Sequence, residues 1–189
     1  IRHVSGPNEF NDAFEFVSEE YGTPIVQEYI EKSGYTTACV LFDRNQNVVG
    51  EFSYERVKEY PLSGGPTVVG VSTDDQEAKQ YAKDLLREAS WRGPAEIEFI
   101  VDQDGTPKLL EVNPRFWMPL QLAISAGVDY PSLVTQLACG ENFNSIKEYR
   151  IGYKYRWILP NELLWTASVD NRLSNLVDLI NFSSTKETY

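Results

Sequence analysis

The sequence predicts an α+β fold, an antiparallel sheet flanked by helices, and three observations carry that reading. Residues 36–42 and 48–54 are β-branched and aromatic runs on either side of the polar turn Asp43-Arg-Asn-Gln-Asn47, which reads as a hairpin. Residues 95–101 and 108–113 flank Asp102-Gln-Asp-Gly-Thr-Pro107, where Asp104-Gly105 is a strong hairpin signal. Between the two hairpins lies one amphipathic helix pattern, with Ala78, Tyr81, Ala82, Leu85, Leu86 and Ala89 on one side. Hairpins with helices set beside them, instead of strands alternating with helices, argue against a doubly wound parallel sheet.

The remaining elements follow in order. A helix is predicted over about 8–21, with Phe10, Ala13, Phe14 and Val17 on one face and Gly22 as its stop. After Pro24, Ile25-Val-Gln-Glu-Tyr-Ile30 reads as a short strand. Pro61-Leu-Ser-Gly-Gly-Pro66 reads as a loop, and its Gly64-Gly65 pair lacks the Gly-Lys-Ser/Thr of a phosphate loop, so a turn or substrate cover is the simpler role. The central helix is expected to start in a capping box of Thr73 with Gln76 and to end at Gly93-Pro94. Two further helices are expected at about 118–126, closed by Gly127, and 131–139, closed by Gly140. The tail ends in a helical pattern through Leu173, Leu176, Val177 and Ile180.

Composition narrows the function classes. The 189 residues, 42% hydrophobic and 13% aromatic, suffice for a real core. Net charge is −11, from 17 basic and 28 acidic residues, which argues against nucleic acid as a partner, since phosphate contacts need clustered Lys and Arg. No apolar run approaches the roughly 20 residues of a membrane span, and the start lacks a signal-peptide pattern, so a soluble cytoplasmic setting without membrane contact is the expectation. Cys39 and Cys139 have no Cys-x-x-Cys spacing and His3 is the one histidine, which supports neither zinc nor a disulfide framework. Cys139, His3 and Ser125 are read as structural, and the four tryptophans as core or interface residues.

The second hairpin holds the most informative geometry. A two-residue turn at Asp104-Gly105 pairs Glu98 with Glu111 and Glu96 with Asn113. Opposed residues share a face, so all four project from one side, while Ile97, Phe99, Leu110 and Val112 fill the other. Three carboxylates on one face repel unless a cation sits among them, and oxygen-only ligands suit magnesium. A solvated acidic sheet surface is the equal alternative on charge pattern alone.

The run Glu111-Val-Asn-Pro-Arg115, preceded by Ala95-Glu-Ile-Glu-Phe99 and the Asp-Gly turn, resembles the metal-binding hairpin of the ATP-grasp superfamily. The resemblance implies that Glu98, Glu111 and Asn113 hold magnesium (or manganese) against the ATP phosphates, and that Arg115 has the catalytic role of contacting phosphate or the acyl intermediate. Ile25-Val-Gln-Glu-Tyr-Ile30 is similar to the hinge between the two ATP-gripping lobes, which places Gln27, Glu28 and Ile30 around adenine through main-chain atoms. Where family members often carry an acidic residue for the ribose, this chain has Ser33-Gly-Tyr-Thr-Thr37. Arg56 and Lys58 lie where the family commonly supplies basic groups to phosphates or substrate; exposed strand-end charges are the plainer alternative.

The resemblance covers about residues 1–145 and is most like the carbamoyl-phosphate-synthase-like branch. It implies a partial ATP-grasp domain over 1–145, the C-terminal lobe, incomplete at the N-terminus because the lysine-bearing strand and glycine-rich loop expected upstream are not in this sequence. Residues 146–189 form an extension of open role, whether packing on the lobe, completing an acceptor pocket, or self-association as a homo-oligomer through Trp157 and Trp165. The implied activity is an ATP-dependent ligase joining a small-molecule carboxylate to an amine or ammonia through an acylphosphate, not expected to turn over in this fragment alone. A nucleotide-binding regulatory module that has lost catalysis, and an acidic protein-interaction domain, are the alternatives.

Overall fold

The computed structural model describes residues 2–62, 64–141 and 144–180, so Ser63 of the Gly-Pro loop and residues 181–189 of the extension lie outside it. The chain divides into two compact units, residues 1–31 and the chain from Lys32 onward. This division falls at a different place from position 145, and the chain beyond 145 continues the second unit.

In the first unit, α1 (Pro7–Tyr21) begins after extended Gly6 with Pro7 inside its first turn, where the missing N–H costs nothing. It ends at Gly22, whose φ of 86° is a backbone state that a residue with a Cβ resists. Arg2 lies over the Phe16 ring and His3 packs edge-on to Tyr29. The strand expected at Ile25–Ile30 is not formed; these residues are irregular chain. The β-branched pattern is there, but a strand is held by its ladder and no neighbour supplies one in this unit.

The second unit is a six-stranded sheet in the order β5-β4-β1-β2-β3-β6, formed by β1 (Gly34–Phe42), β2 (Val48–Glu59), β3 (Thr67–Thr73), β4 (Gly93–Val101), β5 (Pro107–Asn113) and β6 (Lys154–Arg156). All five ladders are antiparallel. Alternation along β1 sorts its side chains between two cores. Ala38, Val40 and Phe42 pack with Ile97, Phe99 and the Ala78, Ala82 and Leu86 stripe of α2 (Gln76–Glu88). Cys39 and Leu41 pack with Phe52, Tyr54 and Trp117 and with residues of α3 (Leu120–Ala126) and α4 (Tyr130–Cys139). Tyr130 is fully buried and donates its hydroxyl to the Cys39 carbonyl at 2.9 Å.

Two strands escape the sequence reading, as do the π-turn and short helix that follow the second of them. β3 was hidden because Gly70 interrupts its valines and its last residue, Thr73, reads as a helix cap. The cap is instead Asp75, whose Oδ1 accepts from the Ala78 amide at 2.9 Å, while the Thr73 carbonyl accepts from Ser53 Oγ and Tyr149 Oη. The helix ends at Ala89, and Gly93 opens β4 instead of closing α2. β6 is only three residues long, and it adds the chain beyond 145 to the edge at β3. After it come a π-turn (Ile158–Glu162), α5 (Leu163–Ser168) and α6 (Arg172–Ile180). Among the described residues no helix is long and apolar enough to cross a membrane.

Candidate functional site

The expected pairs at the functional end of the second hairpin are formed: Glu98 opposes Glu111 and Glu96 opposes Asn113. The route differs from the expected two-residue turn. Asp102 Oδ1 accepts from the amides of Asp104 and Thr106, so the loop closes at Val101 opposite Pro107, one residue out of register. A bulge after Glu98 restores the pairing, with Leu110 as the extra residue. The apolar side is therefore only half as expected. Ile97 and Phe99 are core, whereas Val112, on the edge strand, is 38% exposed.

The carboxylate face continues onto β1 and β2, because Thr37 pairs with both Glu98 and Tyr54, and Cys39 with both Glu96 and Phe52. This face is thus partly covered by the core of α3 and α4, not simply solvated. Glu96 is 2% exposed, and both its oxygens are used: Tyr54 Oη donates to Oε1 at 2.8 Å and Asn113 Nδ2 to Oε2 at 3.2 Å. Asn113 Nδ2 also donates to Glu111 Oε1 at 2.7 Å, and Arg115 Nη2 donates to Asn113 Oδ1 at 3.1 Å. Burial, reinforced by the Glu98 charge, lifts the Glu96 carboxyl to about 8. Burial also raises Glu98; Arg56 pulls it down and Glu111 pushes it up.

Arg56 is the cation that pairs directly with a carboxylate of this face. Its Nη2 donates to Glu98 Oε2 at 2.5 Å, its Nη1 to Glu59 Oε2 and the Gly65 carbonyl, and its guanidinium lies over the Tyr35 ring. β2 runs on to Glu59, so Arg56 and Lys58 stand inside a strand, largely buried, and not at an exposed strand end. Lys58 points elsewhere. Its Nζ donates to Glu162 Oε1 at 3.0 Å and lies over the Trp165 ring. Glu162 is fully buried and also binds Arg156, at 2.6 and 2.9 Å. Sequence reasoning missed this cluster, because nothing in Pro160-Asn-Glu162 marks a buried acid. It also missed Tyr54, which the pairing of β1 with β2 could have placed on the carboxylate face.

The structure thus gathers Glu96, Glu98, Glu111, Asn113, Arg115 and Arg56, and sends Lys58 to a second cluster. Gln27, Glu28 and Ile30 belong to the first unit, in irregular chain. No group of three or more His, Cys, Asp or Glu among the described residues is arranged to hold a metal by itself. Glu98, Glu111 and the Asn113 amide oxygen, engaged here by Arg56, Asn113 Nδ2 and Arg115, are the oxygen atoms of this face that could hold a cation. Two carboxylates is a number that magnesium accepts when water and phosphate complete its shell. The Arg56 contact to Glu98 already places one positive charge at this face.

Comparison with known proteins agrees with this fold. The chain is 26% identical over 132 residues to the biotin-dependent acyl-coenzyme A carboxylase alpha3 subunit of Mycobacterium leprae, covering 67% of this chain and 22% of that protein. Among solved structures, it resembles the Campylobacter jejuni biotin carboxylase in its βγ-ATP complex (TM-score 0.61, 18% identity, 78% of this chain and 34% of that one). It also resembles the biotin carboxylase domain dimer of Hydrogenobacter thermophilus 2-oxoglutarate carboxylase, bound to MgADP, ADP and bicarbonate (TM-score 0.58, 19% identity, 78% and 34%). The Staphylococcus aureus N5-carboxyaminoimidazole synthetase complexed with ADP shares the fold as well (TM-score 0.59, 14% identity, 77% and 40%). The chain spans well under half the length of each of these relatives. A sequence model described as "ATP-grasp in the biosynthetic pathway with Ter operon" matches residues 20–159, more than half of the chain, which therefore belongs to this ATP-grasp family.

Proposed function

We infer that this chain is the ATP- and magnesium-binding region of a ligase that activates a small-molecule carboxylate as an acylphosphate for attack by an amine or ammonia. The observation that carries the reading is the opposed Glu98–Glu111 pair, with Asn113 and Arg115 beside it, on the face where Arg56 lies. Family membership and relatives whose structures hold MgADP or a βγ-ATP ligand support it. The proposed setting is the cytoplasm, where ATP is abundant.

Glu98, Glu111 and Asn113 would hold the magnesium, which when bound supplies charge that neutralises the transferring phosphoryl group. Arg115, exposed on the chain segment leaving β5, donates to Asn113 Oδ1 and the Phe116 carbonyl and would turn its guanidinium to stabilise the acylphosphate. Arg56, the cation on β2 that donates to Glu98, would offer its guanidinium to phosphate oxygens. Lys58, held by Glu162, ties β2 to the turn that follows β6. Gln27, Glu28 and Ile30 flank adenine through main-chain groups, which requires no regular strand. Catalysis on this reading is positioning and electrostatics, with no protein nucleophile.

Calorimetric titration with a non-hydrolysable ATP analogue, with and without magnesium, tests the reading. Magnesium-dependent binding that a Glu111→Ala/Asn113→Ala double variant loses supports it; binding indifferent to both contradicts it.

A further inference from the structure

A side-chain amide carries an acceptor and a donor group of nearly the same shape, and only the oxygen can ligate a hard cation. Asn113 is therefore useful as a ligand in one of its two orientations. The structure holds its nitrogen between two carboxylates, 3.2 Å from Glu96 Oε2 and 2.7 Å from Glu111 Oε1, and turns its oxygen to Arg115. Glu111 is exposed and is itself a ligand in the reading above, so it cannot be the fixed anchor. Glu96 is different in kind. It is 2% exposed, lies directly opposite Asn113 in the ladder, and is gripped from behind by the hydroxyl of Tyr54, itself 1% exposed and packed in the core with Phe52 and Trp117.

The geometry points to Glu96 as a positioning residue, anchored by Tyr54, that fixes the Asn113 amide with its nitrogen inward and its oxygen outward as a ligand for the divalent cation. This assignment rests on the metal reading of the hairpin and adds a residue behind the ligand set. A buried carboxyl group is costly to keep, and here each oxygen has one partner, Tyr54 on one side and Asn113 on the other, so the pair of contacts defines a relay from the core to the metal face.

The test is Mn2+ titration followed by electron paramagnetic resonance on the chain and on Glu96→Gln, Glu96→Leu and Tyr54→Phe, with Tm measured beside it. Glutamine can accept from Asn113 through its oxygen and donate to the Tyr54 hydroxyl, which rotates to accept. Glu96→Gln should accordingly bind Mn2+ as tightly as the unsubstituted chain. Leucine offers no acceptor, and Glu96→Leu should bind about 10- to 100-fold more weakly, the usual cost of losing a group that orients a ligand, with the number of sites per folded chain unchanged. Tyr54→Phe should weaken binding in the same direction. Unaltered affinity in Glu96→Leu, a glutamine variant as weak as the leucine one, or a loss of sites instead of affinity would each overturn the assignment. If Glu96→Leu does not fold, Tyr54→Phe decides: weaker Mn2+ binding supports the relay and unchanged binding overturns it. Failure of the unsubstituted chain to bind Mn2+ would overturn the metal reading and this assignment together, whereas binding with no response in the variants overturns this assignment alone.

Discussion

Arg56 on β2 reaches across the intervening strand β1 to Glu98 on β4, with 2.5 Å between Nη2 and Oε2. Both side chains are largely buried, at 10% and 14% exposure, and Glu111 stands directly opposite Glu98. Arg56→Ala leaves a desolvated carboxylate facing another, and should cost about 3 kcal/mol of stability in urea unfolding. A divalent cation that binds this face then stabilises the variant more than the unsubstituted chain, because it no longer has to displace the guanidinium. Magnesium at 100 times its Kd contributes about 2.7 kcal/mol, so much of the loss should be recovered.

Glu162 makes the C-terminal segment part of the sheet unit. It is fully buried and bound by Lys58 and Arg156, while Asp178 on α6 adds contacts to the same two cations. Removing one member leaves two buried cations short of a partner. Glu162→Ala should destabilise by about 3–5 kcal/mol, with faster amide exchange in α5 and α6 than in β1. Replacing Lys58, Arg156 and Glu162 together by apolar residues of similar volume should cost far less than Glu162→Ala, since no unpaired charge remains.

The cap of α2 separates the sequence reading from the structure. Asp75 accepts from the Ala78 amide and from Thr36 Oγ1 at 2.7 Å, so Asp75→Ala should cost about 1–2 kcal/mol by thermal unfolding. Thr73→Ala loses one contact from its hydroxyl to Ser53 Oγ and should cost less. The reverse order would return the cap to Thr73.

Signals local in sequence survived into the structure. The apolar periodicity of α2, the glycine stop of α1, and the alternation of the two hairpins each report an element whose stabilising contacts are close along the chain. What was not legible depends on partners far away. Ile25–Ile30 has strand chemistry without a ladder, β3 exists because β2 and β6 flank it, and Lys58 was assigned to phosphate because Glu162, 104 residues on, could not be seen beside it. The candidate site lies between these cases. Its four hairpin positions were readable from one register argument, and two errors cancelled: the turn is longer than the Asp-Gly signal suggests, and the bulge at Leu110 compensates. Tyr54 entered only when β1 joined the two hairpins into one face, and the same joining set Arg56, already named from the sequence, against Glu98.

The central claim, that this face is a divalent-cation site, is tested most directly by anomalous diffraction from crystals grown with Mn2+ and ADP. The account predicts an anomalous peak within ligand distance of Glu98, Glu111 and Asn113 Oδ1, with the Arg56 guanidinium moved off Glu98. A map with nucleotide present, no peak at the hairpin and Arg56 still on Glu98 would contradict it.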